Sequence, residues 1–60
     1  MLPNDPYMLL SFINTKLRDE YSSLDELSSS LGADKEQILN KLAGAGYVYD
    51  SDQNRFNTQS

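Results

Sequence analysis

Residues 22–42 read SSLDELSSSLGADKEQILNKL. Two short amphipathic segments flank Gly32, and how they are read decides the fold. Ser23 and Glu26 stand at the S-x-x-E spacing of a helix N-terminal capping box. Leu24, Leu27 and Leu31 then recur every three or four residues, which marks one face of a two-turn helix. Gly32 stands where a left-handed residue ends a helix. Asp34, with Gln37 three positions on, opens the next helix. Ile38 and Leu42 form its stripe, Leu39 and Ala45 lie beside it, and Gly44 and Gly46 end it. Helices are predicted over about 23–31 and about 34–45. Ser28, Ser29 and Ser30 are poor helix formers and are expected to face water.

Upstream, Asn4-Asp5-Pro6 is a helix start: an Asp or Asn side chain takes an orphan N–H, and proline suits the first turn. Leu10, Ile13, Leu17 and Tyr21 follow at helical spacing, so a helix over about 5–21 is expected. At ~100° per residue, Met8 and Phe12 fall nearly opposite that stripe, and Leu9 lies between the two faces. Downstream, Tyr47-Val48-Tyr49 favours a strand, residues 50–54 form a polar turn, and Arg55-Phe56-Asn57 is the returning strand. A hairpin over about 47–57 is predicted, with Thr58 to Ser60 as a frayed tail. The result is one mainly α domain: a three-helix helix-turn-helix core with a short C-terminal β-hairpin. Its core is expected at Leu10, Ile13, Leu17, Leu24, Leu27, Leu31, Ile38 and Leu42.

A chain of 60 residues buries only ~60% of the surface its unfolded form exposes. Small domains often add a disulfide, a metal or a partner. With neither cysteine nor histidine, disulfides and zinc sites built on nitrogen and sulfur are excluded, and oligomerisation is the common support left. MLPNDPY has no basic leader region, and no run approaches the ~20 apolar residues of a membrane span. A cytoplasmic protein without a membrane partner is the expectation. Five basic against nine acidic residues give a charge of −4, whereas nucleic-acid binders usually carry a basic patch.

The pattern L-x-x-L-x-x-x-L-G-A-D-x-x-x-I-x-x-x-L from Leu24 to Leu42, followed by A-G-Y-V-Y and a polar turn, resembles a winged helix-turn-helix. That likeness covers residues 22–57. It implies that Asp34 to Ala45 is a recognition helix and that Tyr47 to Phe56 is a short wing. Nearly the whole chain also resembles a family of short bacterial proteins of unknown function. These share an LPNDP start (Leu2 to Pro6), an MLL-x-F/V-x-N-x-KLRD helix (Met8 to Asp19) and a GY-x-YD-x-x-x-N-x-F ending (Gly46 to Phe56). This resemblance implies a bacterial origin and a free-standing domain, and it carries no activity with it.

Three groups of residues invite a functional reading. Lys35, Gln37, Asn40 and Lys41, with Arg55 on the hairpin, are side chains that can contact bases and phosphates. Asp34 and Glu36 cancel the two lysines, and Asp50 and Asp52 flank Arg55. Asp50-Ser51-Asp52-Gln53-Asn54 has D-x-D-x-N spacing, but Arg55 stands where a calcium loop needs glycine, so a hairpin turn is the better reading. Met8, Leu9 and Phe12 form a second apolar patch, which either the hairpin covers or a partner does. Lys16 to Glu20 is a solvated run with one i,i+4 pair. Without a histidine base or a cysteine thiolate, no enzyme, cofactor or metal is expected. The preferred expectation is a non-enzymatic protein-interaction module, meeting an unknown protein partner or forming a homodimer. The alternative is a winged helix-turn-helix DNA-binding module.

Overall fold

The computed structural model describes residues 2–59. Three helices, α1 (Pro6–Asp19), α2 (Leu24–Leu31) and α3 (Lys35–Gly44), precede an antiparallel hairpin of β1 (Tyr47–Asp50) and β2 (Arg55–Thr58). The fold is mainly α with a C-terminal β-hairpin.

Local chemistry sets each boundary. Asp5 accepts the Tyr7 N–H at 2.9 Å, and Pro6 fills the first turn of α1. The helix stops short of Tyr21 because the N–H groups of Glu20 and Tyr21 both donate to the Lys16 carbonyl. Ser23 caps α2 by accepting the Glu26 N–H at 3.1 Å. The reciprocal half of the expected capping box is absent: the Glu26 carboxylate accepts from the Ser22 hydroxyl at 2.7 Å instead. Gly32 closes α2 at φ 65°, a conformation that glycine adopts without steric cost. Asp34 caps α3 through the Glu36 N–H at 3.0 Å, not through Gln37.

Leu9, Ile13, Leu17, Leu24, Leu27, Ile38, Leu42 and Phe56 form the core. Two expected members are corrected. Leu10 is only half-buried, and Leu9, 1% exposed, takes its place. The expected stripe included Tyr21, which lies beyond the helix. Without it, the stripe centres on Ile13, with Leu9 and Leu17 one turn either side. Leu31 is 40% exposed, because the last residue of α2 stands on the rim of a groove rather than beneath another element. Phe56 supplies the apolar volume from the hairpin instead. Ser28, expected in water, is buried, and its hydroxyl has no hydrogen-bond partner among the described residues.

The hairpin pairs Tyr47 with Thr58, Val48 with Asn57, Tyr49 with Phe56 and Asp50 with Arg55. Asp50 shapes the turn, accepting the N–H groups of Asp52 and Gln53 on Oδ1 and the Asn57 amide on Oδ2. The frayed tail is corrected in part: Thr58 belongs to β2, and the Gln59 N–H donates to the Gly46 carbonyl at 2.8 Å. Ser60 lies outside the described residues.

Candidate functional site

The hairpin does not cover Phe12. Asn14, ~200° further round α1, faces β2, and this leaves Phe12 on the other flank. There it lines an open groove of about 510 Å³ between the N-terminal segment, α1, the α2–α3 turn and α3. The buried Leu9 and Ile38 form its floor, and Leu2, Phe12, Leu31 and Ala33 are its apolar walls. Asp34, Gln37 and Lys41 give the rim polarity, and the Lys41 ammonium donates to Asn4 Oδ1 at 3.4 Å. Lys16 Nζ stands 5.6 Å from the centroid of the Phe12 ring.

The expected patch of Met8, Leu9 and Phe12 is therefore divided. Leu9 is core, which removes it from the patch it was expected to share with Met8 and Phe12. Met8 is 62% exposed, one helical turn before the half-buried Phe12. The groove walls Leu2, Ala33 and Leu31 come from segments distant in sequence, and no periodicity within one helix could have joined them to Phe12.

The candidate nucleic-acid contacts do not share one surface. Gln37, Asn40 and Lys41 lie exposed on α3. Lys35 turns aside and pairs with Asp25 of α2 at 2.7 Å. That carboxylate, by hydrogen bond first and by charge second, raises the Lys35 ammonium above its ordinary value. Arg55 lines a different groove, with Ser11, Asn14, Thr15 and Arg18 of α1. Arg18 itself grips Asp19 through two nitrogens, at 2.9 and 3.0 Å. That contact raises the guanidinium and lowers the carboxyl.

Asp50 and Asn54 are occupied by the turn, whereas Asp52 is exposed and enters the turn only through its backbone N–H. Asn54 adopts φ 54° and aims its side chain inward. Its Nδ2 donates to the Leu17 and Tyr21 carbonyls, and its Oδ1 accepts the Tyr49 hydroxyl at 2.6 Å. The Tyr49 oxygen in turn accepts the Leu24 N–H at 3.2 Å. The turn is thereby bonded both to the end of α1 and to the start of α2. Asn14 carries the second such anchor, bonded to both backbone groups of Phe56. Among the described residues, no group of three or more acidic side chains is placed to hold a metal ion, and no helix is long and apolar enough to cross a membrane.

The residues of the MLL-x-F/V-x-N-x-KLRD and GY-x-YD-x-x-x-N-x-F stretches thus meet in one framework, in which Asn14, Tyr49, Asn54 and Phe56 hold the hairpin on the helices and Asp50 shapes its turn. A family model described as a domain of unknown function, DUF4250, matches residues 3–56. The chain belongs to that family. No curated protein and no solved structure matches it.

Proposed function

We propose that this member of the DUF4250 family is a non-enzymatic protein-interaction module that receives an apolar side chain of a partner protein in the Phe12 groove. The observation that carries this reading is the groove itself, with Leu2, Phe12 and Leu31 around a floor of Leu9 and Ile38. Met8, exposed one turn away, extends its apolar surface. A half-buried phenylalanine beside a leucine that stands 40% in water is surface that gains by being covered. The mixed rim of Asp34, Gln37 and Lys41 suits a polar border around an apolar centre.

A photo-crosslinking residue at Met8, and a control at Gln53, tests this in the source cell. A discrete protein adduct from position 8, absent at 53 and lost with Phe12→Ala, is the expected result. No adduct from position 8, or one indifferent to Phe12→Ala, would remove the groove from consideration.

The exposed trio Gln37, Asn40 and Lys41 on α3 favours a second reading, DNA binding. Fluorescence anisotropy of random-sequence duplex DNA at low and then moderate salt separates the two. Phosphate contacts weaken steeply with salt, so binding of that kind would put DNA first, and no binding at low salt leaves the protein partner.

A further inference from the structure

The two edges of the hairpin are not equivalent. Asn14 takes both backbone groups of Phe56, so these point away from β1. The Gln59 N–H donates to the Gly46 carbonyl, which makes positions 46 and 59 a hydrogen-bonded pair in the same register. Hydrogen-bonded and non-hydrogen-bonded pairs alternate along an antiparallel ladder. Both observations fix the same parity: Val48–Asn57 and Asp50–Arg55 bond across the hairpin, while Tyr47 and Tyr49 turn their N–H and C=O groups outward. On β2, Asn14 fills that outer edge at Phe56. On β1, the outward groups of Tyr47 and Tyr49 have no partner among the described residues. A row of open N–H and C=O groups is a template for another strand.

We infer that the outer edge of β1 is a homodimer interface, where β1 of a second copy adds antiparallel about a two-fold axis through Val48. The outward groups have the spacing this needs. With Val48 facing Val48 of the second copy, Tyr47 meets Tyr49 of that copy and Tyr49 meets Tyr47, and every outward N–H and C=O is satisfied. An isologous contact requires such self-complementarity. Val48 is 40% exposed on a hairpin face otherwise composed of Asp50, Arg55 and Asn57. In the dimer, the two valines form a close cross-strand pair. Like charges do not oppose each other: Asp50 faces Gly46 of the second copy, and its carboxylate is already held by its own turn. Two marginal two-stranded hairpins become one four-stranded sheet.

This interface lies on β1 and the Phe12 groove on α1 and α3, so the two readings stand or fall separately. The test is sedimentation velocity of the full chain from micromolar to millimolar concentration, with amide hydrogen exchange at each. The expected result is a dimer in which Tyr47 and Tyr49 amides gain protection as concentration rises. Val48→Lys sets like charges opposite each other and should raise the dissociation constant at least about tenfold with an unchanged circular dichroism spectrum. Phe12→Ala should leave it unchanged. Synthetic chain N-methylated at Tyr49 removes an outward N–H without touching the internal ladder, and should also be monomeric. A monomer at millimolar concentration, or a dimer that shields neither tyrosine amide, overturns the inference.

Discussion

Asn14 satisfies both backbone groups of Phe56, a residue 42 positions away: its Oδ1 accepts the Phe56 N–H at 2.8 Å and its Nδ2 donates to the Phe56 carbonyl at 3.2 Å. A side-chain amide here does what a neighbouring strand would do, and it does so beside the core. Asn14→Ala should therefore cost about 1–3 kcal/mol, the range for leaving partly buried polar groups unpaired. Urea unfolding would measure it. A loss below about 0.5 kcal/mol would mean that these bonds are readily replaced by water.

Asn54 contributes through both its backbone and its side chain. Asn54→Gly keeps the positive φ but loses the bonds to Leu17, Tyr21 and Tyr49, for an expected loss of about 1–3 kcal/mol. Asn54→Ala should lose a further ~1–2 kcal/mol, because a side chain with a Cβ is strained in that conformation. Equal losses for the two variants would show that the backbone contributes nothing. Tyr49→Phe shares a bond with Asn54, so its effect and that of Asn54→Gly should fall short of adding by at least about 0.5 kcal/mol in a double-mutant cycle.

The expected sign is opposite at Ser28. Its hydroxyl is buried without a partner, and Ser28→Ala removes that group while favouring the helix. The thermal midpoint should rise, by ~4–8 °C for each kcal/mol gained in a domain of this size. A fall would mean that the hydroxyl is bonded in solution.

The shifted groups all lie at the extremes of pH. Glu20, by hydrogen bond first, raises the Lys16 ammonium, as Asp25 does for Lys35. A raised pKa adds stability that is complete below the ordinary lysine value and is lost as pH climbs through the higher folded value. Arg18 lowers the Asp19 carboxyl, so that contribution is present above the ordinary carboxylate value and disappears as pH falls through the lower folded one. None of these groups changes charge between about pH 5 and 9, and the sequence has no histidine. The urea midpoint should therefore be level across that window. All these groups are solvated, so their contribution outside it is small. A transition near neutral pH would contradict this account.

Features with local causes were legible in the sequence. Asp5-Pro6, Ser23, Gly32 and Asp34 mark helix ends because a cap acts within three residues. Element order followed from the change of period between residues 42 and 47. The core was partly legible. Leu10 was preferred to Leu9 because a stripe drawn through Tyr21 tilts the axis, and only the position of the helix end corrects it. Leu31 matched the α2 periodicity, but what lies opposite the last turn is a tertiary matter. Asn14 drew no reading of its own and Asn54 read as part of a polar turn, since their bonds span 42 and 37 positions. Of the candidate groove, Phe12 was visible as a misfit on its helix. Leu2, Ala33 and Leu31 gather beside it only once the chain is folded.

Phe56 comes from the last strand, yet it fills the space between helices at the other end of the chain, at 2% exposure. The three helices supply the other seven core residues, and without Phe56 that core has a gap. Their turns can form early, through contacts a few residues apart. Closing the core requires a loop that brings together residues 42 positions apart, and the entropy of that closure is spent before Phe56 and Asn14 return anything for it. Folding should therefore be a single cooperative event paced by the arrival of the hairpin, with no lasting three-helix intermediate. What looks in outline like an appendage is the keystone of the domain.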